Sequence, residues 1–353
     1  MMTIMGLVAA LALSTPAPGQ ELPNWEAVVA VPAELRAQFD AKGLRQLQTP
    51  QQRVQRIVEF MLGPQGLALQ YDLQTTRTVA ETLDGRRGNC LSFTLTFVTL
   101  AREAGLDAYV QETDQVLVGL RPGNMVFHSG HVNAGLRIRG QRFVIDFDRT
   151  VVPTSRPPHA ITDQRALAHY YNNRGAEQLT AGDIAVARAY FEAAIGQAPN
   201  FVSAWNNLGV LHLRNGDPRA AERAYLAALE QSPKYVPTLS NLTGLYYQLG
   251  EEKKLVAYQR RLEQVKRRDP YHNFTLGLQY ESRGDHAQAL DHYLRAIRLH
   301  RREPQFHFGA ARSYGQLGEQ QLAERAQARA QALVDNGAST LAVGFQARRT
   351  LQD

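Results

Sequence analysis

Two hydrophobic rhythms divide the chain. Beyond residue 168 the apolar positions fall on helical faces, and the faces repeat. A glycine–acid pair recurs every 34 residues, at Gly182-Asp183, Gly216-Asp217, Gly250-Glu251, Gly284-Asp285 and Gly318-Glu319. Five residues after each glycine stands Ala187, Ala221, Leu255, Ala289 or Ala323. Four further on come Phe191, Tyr225, Gln259, Tyr293 and Gln327, and three beyond those Ala194, Ala228, Leu262, Ala296 and Ala330. Small, large, small at these spacings is one helix face that packs closely against a neighbour. A second helix precedes each glycine, clearest in Trp205-Asn206-Asn207-Leu208-Gly209-Val210-Leu211-His212. Glycine supplies the left-handed turn between the two helices and the acid starts the next one. Pro199 and Pro233 close two of the units.

The first half has a different rhythm. Thr49-Pro50-Gln51-Gln52 offers a cap, a first-turn proline and a capping-box glutamine, and Val54, Ile57, Val58 and Met61 follow at helical spacing up to Gly63-Pro64. Leu67 to Leu73 alternates and reads as extended. A long apolar helix is expected from Cys90 to Glu103, with Gly105 as its C-cap. After it, Ala108–Gln111, Gln115–Leu120, His131–Ile138 and Arg142–Phe147 read as strands. The last two flank the tight turn Arg139-Gly140-Gln141, which predicts an antiparallel hairpin. Helices followed by strands make an α+β domain, and roughly 140 residues are enough to bury a core.

The repeat resembles the tetratricopeptide repeat (TPR). Residues 202–235 carry nearly the whole signature in Trp205, Leu208, Gly209, Ala221, Tyr225, Ala228 and Pro233, and 168–201 follow with Gly175, Ala187, Phe191, Ala194 and Pro199. The third unit is degenerate, with Leu255 and Gln259 in place of alanine and an aromatic, and the fifth is polar at Gln327. The resemblance covers 168–337, five units, and implies an all-α solenoid with a concave groove that binds a protein or peptide. Trp205 and the repeat tyrosines read as packing residues.

Composition adds limits. The chain of 353 residues is 44% hydrophobic and 20% charged, with a formal net charge of +6. Its basic residues are scattered as pairs and short runs such as Lys253-Lys254 and Lys266-Arg267-Arg268, which read as solvated helix faces and not as a nucleic-acid surface. Ile4 to Leu13 is almost wholly apolar and Ala17-Pro18-Gly19 follows, which predicts a signal peptide or N-terminal anchor over 1–19 and an exported, periplasmic protein. No later apolar run is long enough to span a bilayer, so no stable membrane insertion is expected after signal cleavage. The expected organisation is therefore 1–19, an α+β domain over 20–160, the solenoid over 168–337 and a tail over 338–353.

One cysteine is present, so no internal disulfide exists. It lies in Arg86-Arg87-Gly88-Asn89-Cys90-Leu91-Ser92-Phe93, a glycine turn before an apolar helix. Unpaired N–H groups and the dipole at a helix start favour a thiolate. His131 opens one strand of the proposed hairpin and Asp146 lies near the end of the other, so the turn brings the two together. A thiol, an imidazole and an orienting carboxylate are the parts of nucleophilic acyl transfer. His128 is a rival base and Asp148 a rival carboxylate, which an alternating strand would turn to the same side as Asp146. His128, His131, Asp146 and Asp148 match no familiar zinc spacing, and neither a metal nor another cofactor is expected.

Around these residues the chain resembles the transglutaminase-like superfamily, relatives of papain-type cysteine enzymes. Arg87-Gly88-Asn89-Cys90 with its apolar helix ending Ala101-Arg102-Glu103-Ala104-Gly105-Leu106 is similar to that family's nucleophile motif, and the His131 and Phe143-Val144-Ile145-Asp146 strands are similar to its second and third. The resemblance implies Cys90 as nucleophile, His131 as general base and acid, and Asp146 as orienter. Two departures stand out: Val132-Asn133 where the family often has tryptophan, and Phe147-Asp148 in the tail of the last motif. The expected function is cysteine-dependent amide hydrolysis or acyl transfer on a peptide or protein that the solenoid recruits. The alternative is a TPR adaptor whose first domain has lost turnover.

Overall fold

A computed structural model describes residues 21–41, 43, 47–72, 74–113, 116–121, 124–128, 131–148, 151–152 and 157–337. The expected signal segment, the tail over 338–353 and the side chain of His128 lie outside the described residues. Three helices come first among the described residues: α1 (Trp25–Val28), α2 (Ala33–Ala41) and α3 (Pro50–Leu62). Thr49 and Gln52 form the reciprocal capping box of α3 that their spacing predicts. After β1 (Gln70–Tyr71) come α4 (Val79–Gly85), β2 (Arg87–Gly88) and α5 (Cys90–Glu103). Strands β3 (Asp107–Thr113), β4 (Val116–Arg121), β5 (Asn124–His128), β6 (His131–Ile138), β7 (Gln141–Ile145), β8 (Val151–Val152) and β9 (His159–Ala160) follow.

Among the described residues of the alternating stretch 67–73, only Gln70 and Tyr71 pair as a strand, and Leu73 lies outside the description. The N–H groups of Leu67 and Leu69 bond back to the carbonyls of Phe60 and Met61, so this segment wraps the end of α3 instead of joining the main sheet. That sheet has the order β7-β6-β3-β9 and is antiparallel throughout. β6 and β7 pair up to Ile138↔Gln141 around Arg139 and Gly140, which have φ of 50° and 81°. Positive φ at both turn residues is the two-residue geometry that matches strand twist. β7 ends at Ile145, short of the predicted Phe147, because the Asp146 carboxylate accepts the N–H of Asp148 and turns the chain. β4, β5 and β8 form a separate three-stranded sheet. α5 packs across β3 and β6, with α3 and α4 beside it.

Ten helices complete the described chain as five consecutive pairs: α6 (Asp163–Ala181) with α7 (Ile184–Gln197), α8 (Val202–Arg214) with α9 (Pro218–Gln231), α10 (Val236–Gln248) with α11 (Glu252–Arg267), α12 (Pro270–Ser282) with α13 (His286–Leu299), and α14 (Pro304–Gln316) with α15 (Gln320–Gly337). The small-large-small faces are buried: Ala187, Phe191, Ala194, Ala221, Tyr225, Ala228, Ala289, Tyr293 and Ala296 are at most 1% exposed. Within three pairs a glycine lets the aromatic ring lie on the helix backbone. A Cβ at Gly175, Gly209 or Gly277 would come within 2.7 Å of Phe191, Tyr225 or Tyr293. Where the aromatic is Gln259 or Gln327, the matching glycine is Thr243 or Ala311, so the two halves of this contact vary together from unit to unit.

α6 begins at Asp163, five residues ahead of 168, with Thr162 as its cap. One continuous apolar core runs from Phe39, Phe93 and Val110 through Ala166, Leu167, Tyr170 and Tyr171 to Tyr190 and Phe201. The first helix pair is thus built into the N-terminal half. Among the described residues no helix is long and apolar enough to cross a membrane.

Candidate functional site

Cys90 is the first residue of α5, and Asn89 is its N-cap. Asn89 Oδ1 accepts the N–H of Ser92 at 3.0 Å, so the cap satisfies the third helical N–H and not that of Cys90 itself. The amide of Asn89 donates to Thr76 Oγ1 at 2.7 Å, and Ser92 Oγ accepts the N–H of Arg77 at 2.8 Å. Two hydrogen bonds, one buried and one half-buried, therefore hold the start of α5 against the loop that precedes α4.

His131 is the first residue of β6 and is 8% exposed. Its Nε2 lies 2.7 Å from Asp146 Oδ2. The β6–β7 register, carried past its last pair Ala134↔Ile145, sets Asp146 opposite Asn133 one step on and Asp148 opposite His131 three steps on. Asn133 Nδ2 accordingly donates to Asp146 Oδ2 at 3.0 Å, and the carboxylate reaches the imidazole on the diagonal. Asp148 turns away and accepts the hydroxyl of Tyr71 at 3.1 Å. Of the two aspartates that the sequence left open, Asp146 is the one on the ring.

The thiol of Cys90 completes this group. Burial works to lower the pKa of His131, but hydrogen bonds to Asp146 and to Cys90, with their negative charge, outweigh it and push the imidazole up to about 10. Nε2 belongs to Asp146, which leaves Nδ1 for the sulfur. The imidazolium form therefore persists through neutral pH. Tyr71 also faces Cys90. Burial, then the charges of Cys90 and Asp148, hold its phenol far above the ordinary range, so it stays a donor.

Phe147, one of the departures from the family pattern, has a packing role. Its ring sits edge-on to Phe93 at 5.8 Å and tilted to Phe97 at 5.8 Å, and Phe93 meets Tyr71 edge-on. This cluster fastens the Asp146–Asp148 turn to α5.

Cys90, His131 and Asp146 come from three separate elements and meet at one end of the sheet. Sequence reasoning missed Tyr71, Asn133 and Thr76. Asn133 had a signal, since it lies two residues after His131 and so faces the same side of the strand. Tyr71 and Thr76 had none, because long-range folding alone brings them to Cys90 and Asn89.

Comparison with protein families finds a match in the second half of the chain. The tetratricopeptide repeat family matches residues 172–236 and 274–338, leaving out the degenerate third unit. No curated protein matches the chain. Among solved structures, MamA MSR-1 is 22% identical over 48% of this chain and 98% of its own, with a TM-score of 0.25. MamA from Desulfovibrio magneticus RS-1 is 16% identical over 50% and 98%, with a TM-score of 0.28. YrrB, described as a TPR protein with an unusual peptide-binding site, is 15% identical over 52% and 92%, with a TM-score of 0.27. Repeat signature, buried faces and family match agree on tetratricopeptide repeats over 172–236 and 274–338, the type of repeat that supports a protein-interaction role.

Proposed function

We propose that the solenoid holds a peptide or protein and that the N-terminal half acts on an amide of that partner through Cys90. The observation that carries the proposal is the contact of His131 Nε2 with Asp146 at 2.7 Å, with Cys90 near enough to act on the same ring. The similarity of the Arg87–Cys90 run and the two later strands to transglutaminase-like enzymes supports it. In this reading His131 takes the thiol proton, and Asp146 holds the imidazolium in place. The sulfur attacks the amide carbon, and the oxyanion takes hydrogen bonds from N–H groups at the start of α5. The C–N bond then breaks, the imidazolium proton goes to the departing amine, and a thioester remains. Water releases an acid; a primary amine forms a new amide.

A second reading is favoured by the family match to the repeats: an adaptor without turnover. Thiol alkylation separates the two. With iodoacetamide near pH 6, Cys90 should react at least about tenfold faster than a cysteine in an unstructured peptide, and His131→Ala should abolish the difference. Slow labelling that ignores His131→Ala leaves the adaptor. Turnover of an amide should fall as pH rises through about 10, where the proton donor is lost. Incorporation of a labelled primary amine that disappears in Cys90→Ala would mark crosslinking, and acid product alone hydrolysis.

A further inference from the structure

The first helix of the solenoid touches the thiol site through a chain of buried hydrogen bonds. Glu177 Oε1 accepts the backbone N–H of Thr76 at 2.7 Å, and Arg174 Nη1 donates to the Thr76 carbonyl at 3.3 Å. Arg174 also pairs with Glu177 at 3.0 Å, their side chains being 6% and 14% exposed. Thr76, 1% exposed, passes the constraint on: its Oγ1 accepts the amide of Asn89, and Asn89 caps α5 one residue before Cys90. α6 grips the other side of the site as well. Arg165 donates twice to Glu112 of β3, at 3.0 and 3.1 Å, and the next residue of β3, Thr113, pairs with His131.

The repeat itself shows that this polarity is not what packing asks for. One period later, Arg174 and Glu177 correspond to Leu208 and Leu211, which are buried at 7% and 0% exposure. A buried ion pair is seldom more stabilising than apolar residues of like size. Here the charged pair keeps both backbone groups of one loop residue engaged, which leucines cannot do.

We infer that Glu177 and Thr76 are positioning residues for Cys90, and that the first solenoid helix is a working part of the thiol site. The inference rests on the thiol–imidazole reading above. Glu177 fixes Thr76, Thr76 fixes the Asn89 amide, and that amide sets which N–H groups of α5 remain for the sulfur and its oxyanion.

The test is the pH profile of Cys90 alkylation by iodoacetamide in the full-length chain, with folding of every variant checked by circular dichroism. Glu177→Ala and Thr76→Val should each lower the rate near pH 6 by about five- to tenfold while leaving the rate near pH 9.5 within about twofold, the size of a lost cap and its local field. The double variant should lose no more than the weaker single one, since both break one relay. Glu177→Gln, which keeps an acceptor for Thr76, should restore most of the low-pH rate. If folded Glu177→Ala and Thr76→Val give the wild-type profile while His131→Ala lowers the low-pH limb, the relay is overturned and the thiol–imidazole reading stands. If the wild-type profile is that of a free thiol and ignores His131→Ala, both fall together.

Discussion

α6 and α8 open consecutive repeats, yet they answer to different neighbours. Toward its own partner helix each does the same thing: Gly175 lies against Phe191 and Gly209 against Tyr225. On the outward side they diverge. Leu208 and Leu211 of α8 join an apolar cluster with Leu179, Phe191 and Ala224. α6 instead presents Arg174 and Glu177 to Thr76, and Arg165 and His169 to Glu112. The contact inside a unit is dictated by the repeat, and the contact between units by whatever stands next door. The first unit departs from the apolar pattern because its neighbour is an N-terminal half that buries polar groups.

The largest effect should come from breaking the outward contact. Burial raises the pKa of Glu112, but the close approach of His169 Nε2 at 3.3 Å and the two hydrogen bonds and charge of Arg165 override it and bring it down to about 2. The folded value lies below the unfolded one, so this stabilisation is present above about pH 4.5 and is lost as pH falls toward 2. It is worth on the order of 3 kcal/mol. Denaturant unfolding of the wild type should weaken by that amount across this window, and Glu112→Gln should lack the slope. An unchanged slope would show that α6 does not depend on the carboxylate.

The inward contact should behave alike in both units. Gly175→Val and Gly209→Val each drive a side chain into an aromatic ring, costing about 2 kcal/mol by overpacking. Unequal losses in thermal unfolding would mean that the neighbour reaches inside the unit after all. The smallest effect concerns caps. Asp217 Oδ1 accepts the N–H of Ala220, whereas Glu251 makes no side-chain cap bond. Asp217→Ala should cost about 1 kcal/mol, and Glu251→Ala far less.

These contrasts explain what the sequence made legible. Repeated helices, α5 and the β6–β7 hairpin are local patterns, and each can be read from a stretch of a few tens of residues. The placement of Cys90 at a helix start and of His131 beside Asp146 was legible because a helix start and a hairpin turn are local patterns. α4 could have been found, since Thr78 and Glu81 form a capping box that Thr78-Val79-Ala80-Glu81 announces. β5 interrupts its short apolar run Met125-Val126-Phe127 with polar residues on both sides and gave a weak signal. Tyr71, Thr76 and the grip of α6 on Glu112 have no local signature. They depend on a core that spans residues from Val28 to Ala204, and no window of sequence holds that information.

That shared core also gives the repeat array a fixed end and a growing end. Adding a unit beyond α15 would leave every contact of α6 in place. Splicing the same unit in front of α6 would part Arg174 and Glu177 from their loop and split the interior that runs through Tyr170 and Tyr171. Lengthening of this scaffold, by design or by duplication, is thus directional.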